Sequence, residues 1–330
     1  MVGSSNMAVE AKVPALMLVA GAAIGLCLAA AAGAAGGDTG LKPVPRETRP
    51  DKGAGGGDTG LKPVPRETRP DKGAGLVVFS SNRSGPWRIW SVRADGTLLG
   101  ELTKAGGDAH DVDPVFSPDG KSILFTSTRG GATGIWRMAL DGSGMERICD
   151  GDQAEWSPDA KRIVLRRGEQ LVTRDLATGA QKRITPADFA HCSGPSWSPD
   201  GRTIAFACRW DAGNAIFTVP AEGGRPAKVY DQQGACEPHW SPDGAWLVYE
   251  TETRICTISP DGRKNRMVTH FGGVQRYGRF SPDGKSIVFC QGPTERGPWE
   301  LYVIPAQGGT PVKLTEDGSD MNPDWKRSAR

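Results

Sequence analysis

From Leu76 onward, short apolar runs alternate with turn-forming residues at a regular spacing. Ile123-Leu124-Phe125, Ile163-Val164-Leu165, Ile204-Ala205-Phe206, Leu247-Val248-Tyr249 and Ile287-Val288-Phe289 each have the length and β-branched character of a buried strand. Each follows an aromatic residue and a turn, as in Phe116-Ser117-Pro118-Asp119-Gly120. The pattern returns at Trp156 (with Ala160 in place of Gly), Trp197, Trp240 and Phe280, and Trp325 closes a matching Asn-Pro-Asp-Trp. Pro presets φ and Gly accepts a positive φ, so each turn predicts a tight hairpin. The aromatics at 116, 156, 197, 240, 280 and 325 lie roughly 40–45 residues apart, the period of propeller blades.

Each unit carries two further strand signals. The third strand holds Ile89-Trp90, Ile135-Trp136, Ile216-Phe217 or Leu301-Tyr302. The fourth is short and is expected at 101–103, 147–149, 183–185, 228–230, 267–269 and 313–315. Ser259-Pro260-Asp261-Gly262 copies the turn marker, but it follows a third strand and starts no blade. Leu76-Val77-Val78-Phe79 reads as a second strand with no first strand before it. Trp325 lies in a first strand with no second strand after it. The expectation is therefore an all-β, six-bladed propeller of four-stranded antiparallel blades over residues 76–330, closed by the C-terminal strand. A β-sandwich does not explain the period.

The segments before Leu76 read differently. Val13 to Ala35 is an uncharged run rich in Ala, Leu and Gly. Residues 1–35 are expected to be a signal peptide, with Ala32 and Ala34 at the cleavage site, or an uncleaved membrane anchor. Cys27 suggests a third option, lipidation, against which Leu26 stands. Residues 36–75 repeat GGDTGLKPVPRETRPDKGAG twice without change. Such a segment buries too little apolar surface to offset its ordering entropy, so a disordered linker is expected. Composition adds little more. The net charge is +2 and the basic residues are scattered, which argues against nucleic-acid binding. With 45 glycines and 25 prolines, the chain suits a turn-rich β protein with an unstructured part. Six of the seven cysteines follow the N-terminal segment. Hairpin register brings Cys192 near Cys208, where a disulfide is expected.

The phrases VFSPDGKSILFTSTRGGATGIW and RFSPDGKSIVF resemble the propeller repeats of the TolB family, periplasmic components of the Tol–Pal system. Related repeats occur in the propellers of prolyl-oligopeptidase-type peptidases and oligogalacturonate lyases. The resemblance covers residues 76–330. It does not extend to full-length TolB, whose α/β domain would fall where this chain has its spacer. The peptidases' hydrolase domain has no counterpart here, nor does a Gly-x-Ser-x-Gly elbow. The scaffold implies a fold and not a chemistry.

In such propellers the loops entering each first strand share one face with the loops after each second strand, and the Pro-Asp-Gly turns lie on the other. On the first face, His110, Asp111, Asp113, Gln153, His191, Glu237, Tyr277 and Asn322 are candidates for a site at the channel mouth. The alternative is that they are ordinary solvated loop residues. His239 adjoins Trp240 and is expected to point between blades, so no three-histidine metal site is expected. The loop rim offers Trp87, Trp210, Trp299, Arg83, Arg209 and Arg296, residue types favoured as interface anchors. The expected function is an extracytoplasmic scaffold that binds a protein, in keeping with the family's lipoprotein partner. The alternative is a channel-mouth lyase or hydrolase acting on a saccharide or small ligand. No cofactor is expected, the membrane is met only through the N-terminal segment, and a monomer is expected.

Overall fold

The computed structural model describes residues 75–104, 107–211, 213–232, 234–316 and 318–327. The expected signal or anchor segment (residues 1–35) and most of the expected linker lie outside these. The described residues form 24 strands in six four-stranded antiparallel sheets, arranged as the blades of a propeller. In five blades the strands are paired in sequence order. The exception is the first blade, where β24 (Asp320–Trp325) pairs with β1 (Leu76–Ser81), followed by β2 (Arg88–Arg93) and β3 (Gly100–Glu101). The other innermost strands are β4 (Asp111–Phe116), β8 (Asp152–Trp156), β12 (Ser193–Trp197), β16 (Cys236–Trp240) and β20 (Val274–Phe280).

The predicted apolar second strands are buried because both faces of each blade pack on a neighbour. The core is accordingly a set of clusters between blades. Val78 and Ile89 of the first blade pack with Phe116, Ile123 and Phe125 of the second. Val248 and Ile255 of the fifth pack with Ile287 and Phe289 of the sixth. Stacked twisted sheets satisfy their apolar faces this way without a central core, which leaves the axis free for a channel.

The Ser-Pro-Asp-Gly turns share one hydrogen-bond pattern. In the first, Ser117 Oγ donates to Asp119 Oδ1 at 2.6 Å, and the Lys121 and Ser122 amides donate to Asp119 Oδ1 and Ser117 Oγ. Gly120 has φ 66°, and Ala160 holds the same conformation at φ 57°. The copy at Ser259 makes the same bonds but joins a third strand to a fourth, as expected from the sequence. In four blades the fourth strand ends two residues earlier than predicted, and there is a physical reason. Thr103, Thr185, Thr269 and Thr315 turn their hydroxyls onto the amides of Ile89, Leu171, Ile255 and Leu301 at 2.9–3.0 Å. The side chain replaces the next rung of the ladder and ends the strand.

Closure rests on β24. Val77 pairs with Trp325, Val78 with Asp324, and Ser81 with Asp320. Arg83 then reaches Asp320 at 2.5 Å, with Asp320 fully buried, and its guanidinium lies 5.2 Å from the Trp90 ring centroid. The second blade repeats the clamp with Arg129 and Asp111, to which Ser127 also donates at 2.7 Å. In the fourth blade Cys192 and Cys208 occupy the corresponding cross-strand position. The expected disulfide is not formed; the two are free thiols with Sγ atoms 3.4 Å apart.

Two outcomes follow for denaturant unfolding. Asp320→Ala strands the Arg83 charge and costs about 3–5 kcal/mol, whereas Glu146→Ala, which breaks the exposed pair with Arg137, costs under about 1 kcal/mol. Ala160→Gly relieves a left-handed L-residue and stabilises by about 1 kcal/mol.

Candidate functional site: an axial channel and funnel

Each innermost strand is interrupted by a bulge two and three residues before its aromatic, and the six bulges build the channel wall. Asp113, Gln153, Gly194, Glu237, Tyr277 and Asn322 occupy one equivalent position and all have φ between 50° and 56°. The register of each strand pair shifts there. The following residue is Pro in four blades, Ala in one and Gly in one. Pro has no N–H to lose from the ladder, so a bulge suits it. Several freed amides find side chains of the preceding blade. Asp113 N–H donates to Ser80 Oγ and Gln153 N–H to Thr126 Oγ1, both at 3.1 Å, and Tyr277 N–H donates to Glu250 Oε2 at 2.7 Å. Gly194 is required for space as well as for φ, because a Cβ there would lie 2.8 Å from Glu237 Oε2.

This ring concentrates charge away from water. Burial, then repulsion by Asp152 and Glu237, pushes the Asp113 carboxyl up to about 7. Burial, then Glu250, pushes Glu237 up to about 7. Arg166, held by Asp152 at 2.6 Å, moderates Asp113, and Arg279 and then Arg166 moderate Glu237.

A second ring lies one residue before the aromatics: Val115, Glu155, Ser196, His239, Arg279 and Asp324. Glu155, His239, Arg279 and Asp324 form the floor of a funnel of ≈ 650 Å³ that opens on the face of the Pro-Asp-Gly turns. Its wall includes Trp197, Trp240, Phe280 and Trp325, and its rim is made of the turns themselves. A small cavity of ≈ 20 Å³ lies between the two rings and shares Glu155, His239 and Arg279 with the funnel. Glu155 is buried and meets His239 Nδ1 at 3.4 Å and Arg327 Nη2 at 3.0 Å. Asp324 accepts from Phe116 N–H at 2.9 Å, and burial pushes its carboxyl up to about 6.

The sequence-selected residues separate into four groups. Asp113, Gln153, Glu237, Tyr277 and Asn322 converge as the bulge ring. Asp111, Arg83, Trp87 and Trp299 belong to clamps and packing: Trp299 is core, and Trp87 packs against the same cluster. His110 and His191 do not meet; His110 Nδ1 accepts from the Trp87 amide at 3.1 Å, and His191 pairs with Glu169 at 3.4 Å. Each ties the loop before a first strand to the loop of the preceding blade. Burial, then the Arg88 charge, lowers the His110 pKa. Arg209, Trp210 and Arg296 are exposed, with Trp210 against Phe189 and Phe217. His239 points into the funnel and not between blades. Sequence reasoning missed Glu155, Arg279, Asp324 and Arg327, although aligning the repeats on their aromatics places the first three at one position. Among the described residues, no group of three or more His, Cys, Asp or Glu side chains is arranged to hold a metal.

Fold and channel together define a six-bladed β-propeller with an axial cavity. Residues 65–171 match the family described as the TolB beta propeller domain. A TolB homolog of Chlorobium luteolum is 28% identical over 261 residues, covering 76% of this chain and 59% of that protein. An uncharacterized protein of Agrobacterium fabrum is 33% identical over 136 residues, covering 36% of this chain and 46% of its own length. The chain thus spans less than two thirds of these curated relatives. The crystal structure of TolB from Acinetobacter baumannii superposes with a TM-score of 0.66 at 19% identity, covering 77% of this chain and 67% of that one. Residues 65–171 thus carry repeats of the TolB beta-propeller type, and the six-bladed fold is shared with TolB.

The raised carboxyls fix the direction of a pH effect. Between about pH 4 and pH 7 the folded protein holds protons on Asp113 and Glu237 that the unfolded chain, with ordinary carboxyls, releases. Their contribution to stability is therefore full below about pH 4 and is lost as pH rises to about 7. Thermal melts at a series of pH values between 5 and 8 should show Asp113→Asn flattening the wild-type decline.

Proposed function

We propose that this chain is an extracytoplasmic propeller scaffold that binds a protein of the cell envelope, and that the funnel on the Pro-Asp-Gly face receives a segment of that partner. The observation that carries the reading is the funnel itself: a cavity of ≈ 650 Å³ with aromatic walls over buried charged groups. Concave apolar surface with a few convergent polar groups is the usual form of a binding site. The dimensions suit a few side chains of an inserted segment. The resemblance to the periplasmic TolB family supports an envelope setting, as does the uncharged run at residues 13–35. No helix of the described residues is long and apolar enough to cross a membrane. His110 and His191, which would have supported a lyase-like centre, serve separate loop contacts.

Site-specific photocross-linking in living cells tests the reading. A photoreactive residue at Pro282, on the exposed rim of the funnel, should yield one discrete cross-linked envelope protein. The same group at Trp210, on the outer side of the fourth blade, should yield none. Cross-links from Trp210 alone would move the interface to the loop rim, and none from either position would count against a protein partner.

A further inference from the structure

The funnel is not empty of ligand-like chemistry, because the chain puts one of its own side chains there. Lys326 N–H donates to Leu76 O at 2.7 Å, which fixes the backbone at the end of β24. The chain then passes over the turn of the second blade, where Arg327 O lies so close that a Cβ on Gly120 would sit 2.9 Å from it. From this position the Arg327 side chain crosses into the funnel and meets Glu155 Oε1 at 3.0 Å. The two partners are unequal. The Glu155 side chain is 6% exposed, whereas that of Arg327 is 41% exposed.

That inequality determines what else can occupy the site. A half-exposed arginine gives up little when it swings back to water. A buried carboxylate that loses its guanidinium is left desolvated and uncompensated. With only His239 Nδ1, 3.4 Å away, left beside Glu155, an occupant that displaces Arg327 is favoured when it brings a cation of its own. Asp324, a second buried carboxyl in the floor, is answered mainly by Arg279 and by the Phe116 amide, which leaves Glu155 as the group that most needs the cation. The walls narrow the choice of cation. Trp240 and Phe280 are half-buried where they line the funnel, and their apolar surface suits a planar, weakly hydrated guanidinium better than a compact, strongly hydrated ammonium, while Trp197 and Trp325 are buried in the blade cores behind them. Arg279, also in the floor, has a buried Nη1 with no hydrogen-bond partner among the described residues.

We propose that the funnel is a receptor for an arginine side chain of the partner protein, and that Arg327 fills it in cis until the partner displaces it. The proposal rests on the reading that the funnel is the docking site and adds the chemistry of the docked residue. It makes Arg327 an internal competitor, so removing it strengthens binding where loss of an ordinary contact residue would weaken it.

Calorimetric or NMR titration of the full chain tests this with two probes, Nα-acetyl-arginine amide and the neutral isostere Nα-acetyl-citrulline amide. Arg327→Ala should bind the arginine probe at least tenfold more tightly than the wild type and should not bind the citrulline probe. Adding Glu155→Gln should abolish the gain, with melting curves to show that the double variant is folded. If it is not, the contrast between arginine and citrulline on Arg327→Ala alone decides. Equal affinity of wild type and Arg327→Ala for the arginine probe, or equal affinity of Arg327→Ala for both probes, overturns the proposal. The outcomes separate it from the reading beneath it. Cross-linking at Pro282 without arginine binding leaves the scaffold and removes the arginine receptor. Arginine binding without any cross-linked envelope protein leaves the receptor and removes the envelope partner.

Discussion

The pairing of β24 with β1 joins the two ends of the described chain, and the shape of the molecule depends on it. The Arg83–Asp320 contact spans 237 positions. Loop-closure entropy grows only logarithmically with length, so the long span adds little to the cost. The return is large. The pairing completes the first blade and brings Trp325, Met321 and Val77 into one cluster with Val288, Leu301 and Trp299 of the sixth. Without β24 the sixth blade would lose its packing partner, and the edge of β1 would lie open to other chains. The buried arginine–aspartate pair adds register to that closure, because a slipped β24 would leave Asp320 buried without a cation.

Closure also creates the channel. Six radial sheets whose innermost strands bend inward at the same residue leave an axial space lined by whatever those bulges present. The bulge takes two residues out of each ladder, turns one side chain toward the axis, and leaves an amide for the neighbouring blade. Ser80, Thr126 and Glu250 accept such amides. The same device thus links blades and concentrates polar groups where water is scarce. Glu155, His239, Arg279 and Asp324 lie one pleat nearer the turn face. Their proximity follows from the sixfold repeat, although no two belong to the same blade.

Most of the fold was legible because a period near forty, an aromatic and a Pro-Asp-Gly turn are local signals repeated six times. Closure was legible from the unmatched first-strand motif around Trp325. The ends of the fourth strands were not, because Thr103 and its equivalents end them with a side-chain bond that strand propensity does not encode. The site was half legible. Asp113, Gln153, Glu237, Tyr277 and Asn322 were selected as polar residues near the aromatics, but their shared left-handed geometry appears only when the repeats are stacked. His239 was misplaced because adjacency to Trp240 suggested a common direction, whereas alternate strand residues face opposite sides. Loop length and residue type pointed to the loop rim, where Trp87, Trp299 and Arg83 are taken up by packing and clamps, whereas the funnel opens on the turn face. Arg327 gave no local signal, since its partner Glu155 lies 172 positions away.

The central claim is that a closed ring, held at the β24–β1 seam, supports the channel and its funnel. Native-state hydrogen exchange across that seam tests it most directly. If the ring is one cooperative unit, the Lys326 amide and the paired amides of β1 and β24 should exchange with the same opening free energy as those of β13 (Thr203–Trp210), central in the fourth blade. Exchange at the seam through a separate, much lower-energy opening, with the fourth blade still protected, would contradict it.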